Sequence, residues 1–128
     1  MTKDPNCPFC DPEKKEVIIA QNGTTYAVED GYPVTPLHML IIPRRHTLDY
    51  FTMTSQERHD AEDLIIYLRD KITSEDPTVL GFNIGVNCGK IAGQSVMHAH
   101  IHLIPRRKGD IENPRGGVRG VMPCKICY

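Results

Sequence analysis

Residues 98–104 read His98-Ala99-His100-Ile101-His102-Leu103-Ile104, so histidine alternates with apolar residues. Successive side chains of a β-strand point to opposite faces, so this pattern places the three histidines together on one face. Packing explains the apolar face but gives no reason for three aligned imidazoles. We therefore predict a strand near residues 96–104 that carries a functional site.

The three histidines are too widely spaced to bind one metal ion together. His98 and His102 would lie about 13 Å apart along a strand, whereas a zinc–nitrogen bond is about 2 Å long. Neighbouring members are closer and could share a phosphate. Neutral imidazole is also a nucleophile at physiological pH.

The remaining sequence predicts strands and one long helix. Gln21-Asn22-Gly23 separates two β-rich segments, which is typical of a hairpin. Thr54 and Glu57 fit a helix-capping box, and the apolar residues that follow recur at helical spacing (Ala61, Leu64, Ile65, Leu68 and Ile72). Further strands are expected at 37–42 and 80–86. Without regular βαβ alternation, these elements predict an α+β domain.

Composition restricts the classes of function. The chain has 128 residues, 15 basic and 16 acidic, so we expect one domain and no binding of a nucleic acid polymer. No apolar run reaches the roughly 20 residues needed to span a bilayer. Five cysteines, an odd number, do not indicate a disulfide framework. These features, with a polar N-terminus, favour a cytoplasmic protein that does not bind membranes.

Residues near the histidines favour phosphate chemistry over acyl chemistry. Gly89 and Gly93 permit close backbone approach, and Ser95 supplies a hydroxyl just before the histidines. Arg106 and Arg107 follow the strand. The motifs of serine hydrolases, P-loop proteins and dinucleotide-binding proteins do not occur.

Three motifs resemble the histidine triad (HIT) family. They are the histidine segment with its lead Gly93-Gln94-Ser95-Val96-Met97, the stretch Pro36 to His46, and Cys7-Pro8-Phe9-Cys10, which looks like the N-terminal element of zinc-containing members. The resemblance covers about residues 7 to 107. It implies a HIT-like antiparallel sheet of about five strands with one long helix and a short one.

The resemblance also implies an enzyme that cleaves at the α-phosphate of a purine nucleotide conjugate. His100 matches the nucleophile that forms a nucleotidyl intermediate, assisted by His102 and Ser95, and the nucleotide would contact Asp30, Asn87, Gly93, Gln94 and His102. The expected protein is a homodimeric hydrolase of a dinucleoside polyphosphate or a nucleoside phosphoramidate. A nucleotidyltransferase or phosphorylase, and a non-catalytic nucleotide-binding dimer, remain alternatives.

Cys7 and Cys10 have the spacing of zinc ligands. The resemblance adds His46 and His98 as the other two, giving a structural zinc ion and no organic cofactor. A redox pair, buried thiols, or an all-cysteine site with Cys124 and Cys127 are the alternatives. The chain is thus expected to form one domain, 1–128, with a zinc-binding N-terminal segment, 1–15.

The C-terminal segment, 105–128, is predicted to be an extended basic tail. It has six basic and two acidic residues. Arg115 and Arg119 could reach across a dimer to the bound phosphates. Of the remaining histidines, His38 is expected to be a packed strand residue with a possible supporting role, and His59 to be solvated.

Overall fold

Five antiparallel strands form one sheet, in a computed structural model that describes residues 3–15 and 17–125. The strands are β1 (Ile18–Asn22), β2 (Thr25–Glu29), β3 (Met39–Pro43), β4 (Val79–Gly85) and β5 (Ile101–Arg107). Their spatial order is β1-β2-β3-β5-β4, so β5, which carries part of the histidine segment, is an inner strand and β4 is an edge. The predicted α+β fold with about five strands is confirmed.

A tight turn joins β1 to β2, as predicted from the Asn-Gly sequence. Gly23 has a φ of +54°, and a Cβ atom there would lie 2.5 Å from a carboxylate oxygen of Asp60. That carboxylate accepts hydrogen bonds from the backbone N–H and the hydroxyl of Thr24. Glycine is therefore required at this turn, which fastens the hairpin to the helix.

The long helix α1 (Ser55–Glu75) begins and ends as the sequence predicts. Thr54 accepts from the backbone N–H of Glu57, whose side chain accepts in return from the N–H of Thr54, and Asp76 caps the other end. The buried stripe of the helix packs on one face of the sheet and includes Ala61, Leu64, Leu68 and Ile72. The other helical segments described are 3₁₀ turns of three to five residues, so the predicted short helix is present only in that form.

The two faces of the sheet have different partners. Ala27, Ile41 and Leu103 point toward α1 and form the main core. On the opposite face, Tyr26, Leu40 and Ile42 form a smaller cluster against which Phe9 of the N-terminal segment packs. Because alternate side chains of β2 and β3 point away from α1, they form a second apolar face, and irregular chain covers it.

The histidine strand starts later than predicted. β5 begins at Ile101 and runs through Pro105 to Arg107, so His98 and His100 precede it. The prediction of a strand from residue 96 was wrong because Ala99 donates its N–H to the carbonyl of Thr47 in a loop, 2.8 Å away, instead of to a neighbouring strand.

The tail also differs from the prediction. Residues 105–107 belong to β5, and the described residues that follow Arg107 form turns instead of an extended tail, with 3₁₀ turns at Gly117–Val121 and Pro123–Lys125. Gly116 and Gly117 both have positive φ, and a Cβ on Gly117 would lie 3.3 Å from the side-chain nitrogen of Asn83 on β4. The chain thus turns back onto its own sheet. Across the described residues, no helix has the length and hydropathy needed to cross a membrane.

Candidate active site and metal centre

Four side chains from three separate segments converge beside the sheet: Cys7, Cys10, His46 and His98. Their sulfur and Nδ1 atoms all lie within 4.8 Å of one another. His98 Nδ1 is 3.3 Å from Cys7 Sγ and 3.2 Å from His46 Nδ1, and Cys10 Sγ is 3.2 Å from His46 Nδ1. The four residues predicted as metal ligands are therefore brought together, and they could hold a metal ion.

The orientation of His98 suits a ligand. Its Nε2 lies 2.7 Å from the carbonyl oxygen of Pro43, which can only accept, so Nε2 carries the proton and Nδ1 presents its lone pair to the cysteines. Burial lowers the pKa of His98, which keeps the ring neutral. A buried, neutral imidazole with a fixed tautomer is pre-organised for a cation.

The sulfurs are placed as metal thiolates would be. The N–H of Asp4 donates to Cys10 Sγ at 3.2 Å, and the N–H of Phe9 donates to Cys7 Sγ at 3.4 Å. Burial raises the pKa of the Cys7 thiol, and a bound cation would offset this by stabilising the thiolate. Tetrahedral zinc with bonds of about 2.0 Å to nitrogen and 2.3 Å to sulfur has edges of about 3.3–3.8 Å, close to the distances found.

His100, the predicted nucleophile, is held by the backbone of the preceding histidine. Its Nδ1 lies 2.8 Å from the carbonyl oxygen of His98. Because that carbonyl can only accept, Nδ1 carries the proton and the lone pair of the neutral ring is on Nε2. The rings of Phe9 and His102 contact it edge-on, at centroid distances of 5.2 and 5.3 Å.

His102 belongs to a second group, with His38 and Asp30. His38 Nε2 lies 2.9 Å from His102 Nδ1 and 3.4 Å from Asp30 Oδ2. The N–H of Val34 donates to His38 Nδ1, so the proton of the neutral His38 ring is on Nε2 and is donated to His102. His102 then keeps its own proton on Nε2, as a donor suited to an oxyanion.

The same hydrogen bond argues against a metal ion at Asp30, His38 and His102, although their ligand atoms also lie within 4.8 Å. A metal on His38 Nε2 would require a proton on Nδ1 of the neutral ring, and that atom already accepts from Val34. Burial lowers the pKa values of His38 and His102, which favours the neutral pair. We call Asp30, His38 and His102 the relay, because the hydrogen bond from Val34 fixes the proton that His38 donates to His102.

The loop before His98 fixes itself through Gln94. This side chain is buried, accepts from the N–H of Gly89 and donates to the carbonyls of Leu48 and Val96. Gln94, predicted to bind nucleotide, thus has its side-chain amide engaged in shaping the loop. Gly93 has a φ of +100° and lies beside Asn87, and Ser95 is exposed.

A cavity of about 410 Å³ adjoins the relay. Its lining includes His38, His102 and Asn87, with Val118 and Val121 of the tail on one side. Among the residues that the structure describes, no arginine or lysine lines it. Arg106 pairs with Asp110 and Arg107 pairs with Asp76, so the two arginines expected near the phosphates are engaged in salt bridges.

Sequence reasoning gave little weight to His38 and Phe9. His38 comes two residues before Leu40, which pairs with His102 in the β3–β5 register. Same-face placement of His38 and His102 could be recognised only once that register was known. Phe9 lies between the two cysteines, and no pattern in the sequence connects it with His100.

Comparisons with known proteins identify the family to which the chain belongs. Residues 11–109 match the HIT domain family. An uncharacterized HIT-like protein of Mycoplasma genitalium is 36% identical over 107 residues, which cover 79% of this chain and 73% of that protein. An AP-4-A phosphorylase of Mycobacterium tuberculosis is 29% identical, over 77% of this chain and 50% of that protein.

The fold is also found in solved structures. The crystal structure of a zinc-bound histidine triad family protein from Mycobacterium smegmatis superposes with a TM-score of 0.75 and 28% identity. The superposition covers 84% of this chain and 80% of that one.

Proposed function

Because this chain belongs to the HIT domain family, we propose that it is a nucleotide hydrolase that forms a covalent intermediate on His100. The substrate is a purine nucleotide conjugate, either a dinucleoside polyphosphate or a nucleoside phosphoramidate, cleaved at its α-phosphate. One observation carries this proposal: the bond from His100 Nδ1–H to the carbonyl of His98 leaves the Nε2 lone pair for attack on phosphorus.

The reaction has two displacements. His100 Nε2 attacks the α-phosphorus, an N–P bond forms, and the P–O or P–N bond to the leaving group breaks. The leaving group takes the bonding electron pair and a proton. Water then attacks the same phosphorus, the N–P bond breaks, and the nucleoside monophosphate leaves with His100 restored. Two easier steps replace one difficult one.

The neighbouring residues fit supporting roles. His102 Nε2–H, set by the donation from His38, would stabilise negative charge on a phosphate oxygen. Ser95 would assist the leaving group, and Asn87 and Gly93 would contact phosphate oxygens. Asp30 would bond the ribose hydroxyls, and its contact with His38 and His102 would join sugar binding to the relay.

The metal ion that fits the four-residue centre is zinc. Two thiolates and two imidazoles at tetrahedral spacing match its preferred ligand set, and four protein ligands would leave no open coordination position. Bound zinc would supply structure: Cys7, Cys10, His46 and His98 would hold the N-terminal segment against the sheet beside His100.

A homodimer is supported by an uncovered apolar surface. Phe51 is 78% exposed, Ile66 and Ile84 are about half exposed, and all three line one groove beside the edge strand β4. A second copy would cover this groove and pair the strand edge. Sedimentation should show a dimer that Ile66→Asp converts to monomer.

A phosphorylase is the second candidate, because the chain resembles an AP-4-A phosphorylase over 77% of its length. In that reaction phosphate would replace water in the second displacement. Product analysis with and without added phosphate separates the two: the hydrolase releases nucleoside monophosphate in both cases, whereas a phosphorylase releases the diphosphate only when phosphate is present.

The proposal is tested by His100→Ala. We expect this variant to fold normally and to lose at least about a thousandfold in kcat toward a panel of adenosine and guanosine conjugates. Arg69→Ala, at an exposed position of α1 outside the groove proposed for the dimer, is the control and should retain activity. Wild-type turnover in His100→Ala would overturn the proposal, and no turnover by the wild-type protein on any conjugate would favour the non-catalytic dimer.

A further inference from the structure

Phe9 lies within the metal-binding segment and contacts both that segment and the sheet. It lies between Cys7 and Cys10, its N–H donates to Cys7 Sγ, and its carbonyl accepts from the hydroxyl of buried Tyr26. Its side chain packs against the sheet cluster that includes Leu40 and Ile42. The position of this ring therefore depends on the metal-binding segment, through Cys7, as well as on the sheet against which it packs.

The ring of Phe9 contacts the proposed nucleophile. Its centroid lies 5.2 Å from that of His100 at 66° and 5.9 Å from that of His98 at 87°. Both are edge-to-face contacts, which have an orientation preference that aliphatic contacts lack. Rotation of the His100 imidazole out of its present plane would lose this contact.

A hydrogen bond also links His100 to the metal centre, in addition to its ring contact with His102. His100 Nδ1 is bonded to the carbonyl of His98, which is itself one of the four converging residues. Phe9 lies between the other two ligands from the N-terminal segment. The metal centre thus contacts the His100 ring at two points, through one backbone carbonyl and one aromatic ring.

We propose that Phe9 is a positioning residue through which the metal centre sets the orientation of His100. This inference rests on the proposed function for its kinetic consequence, but not for its structural one. A metal centre that only fastened the N-terminal segment would stabilise the fold without changing the ring of His100. A Phe9 ring that only bound substrate would leave the ligand-free protein unchanged.

The experiment compares Phe9→Leu with Phe9→Tyr and Phe82→Leu in the metal-loaded protein. Leucine keeps apolar bulk but removes the ring, and tyrosine restores it. Phe82 is a partly buried phenylalanine that packs on the core beneath α1, so its substitution controls for general packing loss. Each protein is measured for zinc content, for imidazole NMR signals without ligand, and for single-turnover nucleotidylation.

We expect Phe9→Leu to retain one zinc per chain and an unchanged KM while the rate of nucleotidylation falls about fivefold. The His100 ring signals of the ligand-free variant should shift or broaden while those of His59 stay in place. Phe9→Tyr and Phe82→Leu should behave as wild type. Removing zinc from the wild-type protein with a chelator should move the His100 signals in the same direction.

Several results would overturn the inference. Unchanged His100 signals in Phe9→Leu, or in the zinc-free wild-type protein, would show that the ring is not set by this contact. A raised KM with an unchanged rate would make Phe9 a substrate contact instead. If the wild-type protein forms no nucleotidyl intermediate, the proposed function fails, and the NMR comparison still decides the positioning role.

Discussion

The two ends of the segment from His98 to His102 use the same side chain in opposite ways. His98 donates from Nε2 to a carbonyl and presents the bare Nδ1 to two cysteines and His46. His102 accepts at Nδ1 from His38 and keeps its proton on Nε2, beside a cavity. The partner of one ring nitrogen thus decides whether the other nitrogen presents a lone pair, as a metal ligand must, or carries a proton, as an oxyanion donor must.

Burial follows the same division. His98 is fully buried, whereas the side chain of His102 is 22% exposed. A closed site suits a structural metal ion, and an open one suits a substrate that must enter and leave. We call the cluster of Cys7, Cys10, His46 and His98 the closed end, and the group of Asp30, His38 and His102 the open end. His100 lies between the two: it bonds to the carbonyl of His98 at the closed end and contacts the ring of His102 at the open end.

The largest effect should come from breaking the closed end. Cys10→Ser removes a buried ligand, so we expect loss of zinc and a fall in unfolding temperature of about 10 °C or more. Cys124→Ser is the matched control, because Cys124 is exposed and lies outside the cluster of Cys7, Cys10, His46 and His98. Calorimetry with metal analysis measures both, and a Cys10→Ser protein that keeps zinc and wild-type stability would refute this assignment.

Breaking the open end should reduce activity without loss of zinc. His102→Ala removes the proposed oxyanion donor, and we expect kcat to fall about a hundredfold. His38→Gln disturbs only the relay behind that donor, so its loss should be about tenfold. Steady-state kinetics beside zinc analysis distinguish the two ends, and equal losses in both variants would show that His102 does not act through its own donor.

The histidines of the open end should also make stability depend on pH. Burial lowers the pKa values of His38 and His102 in the folded protein below the ordinary value near 6.5. Below about pH 6.5 the unfolded chain therefore binds more protons than the folded one, so stability is fully present above this pH and is lost as pH falls. Urea titrations of zinc-loaded protein should show that the free energy of unfolding depends less on pH in His38→Gln than in the wild-type protein. An identical pH dependence of the free energy of unfolding in the two proteins would contradict the lowered pKa values.

The smallest expected effect concerns the tail that borders the open end. Val118 and Val121 supply apolar surface to the cavity beside His102. Val118→Ser combined with Val121→Ser should lower kcat/KM about threefold for conjugates with an apolar leaving group, and less for those with a hydrophilic one. Val17→Ser, outside the cavity, is the control. A uniform loss across substrates would argue against contact with the leaving group.

Local signals in the sequence predicted most of the fold. The capping box at Thr54, the helical spacing from Ala61 to Ile72 and the turn at Gly23 each depend on neighbours within a few residues. Each was confirmed for that reason. The start of β5 could not be predicted locally, because the alternation continues through His98 while the N–H of Ala99 bonds to Thr47, far away in sequence.

The candidate site also combines residues that the sequence could predict with a partnership that it could not. The spacing of Cys7 and Cys10 predicts a metal site, and the family resemblance supplied His46 and His98 as further ligands. The structure brings these four residues together. The partnership of His38 with His102 depends on the register of β3 and β5, two strands that lie far apart in the sequence. This partnership could be recognised only once the pairing of the strands in the sheet was known.

The proposed function requires that His100, held between His98 and His102, takes the nucleotidyl group. Wild-type protein mixed with a substrate conjugate should be quenched within one turnover and analysed by intact mass and by peptide mapping, beside His100→Ala and His102→Ala. We predict an acid-labile adduct of one nucleoside monophosphate on His100, absent from His100→Ala and formed more slowly by His102→Ala. Turnover with no adduct, or an adduct on another residue, would contradict the account.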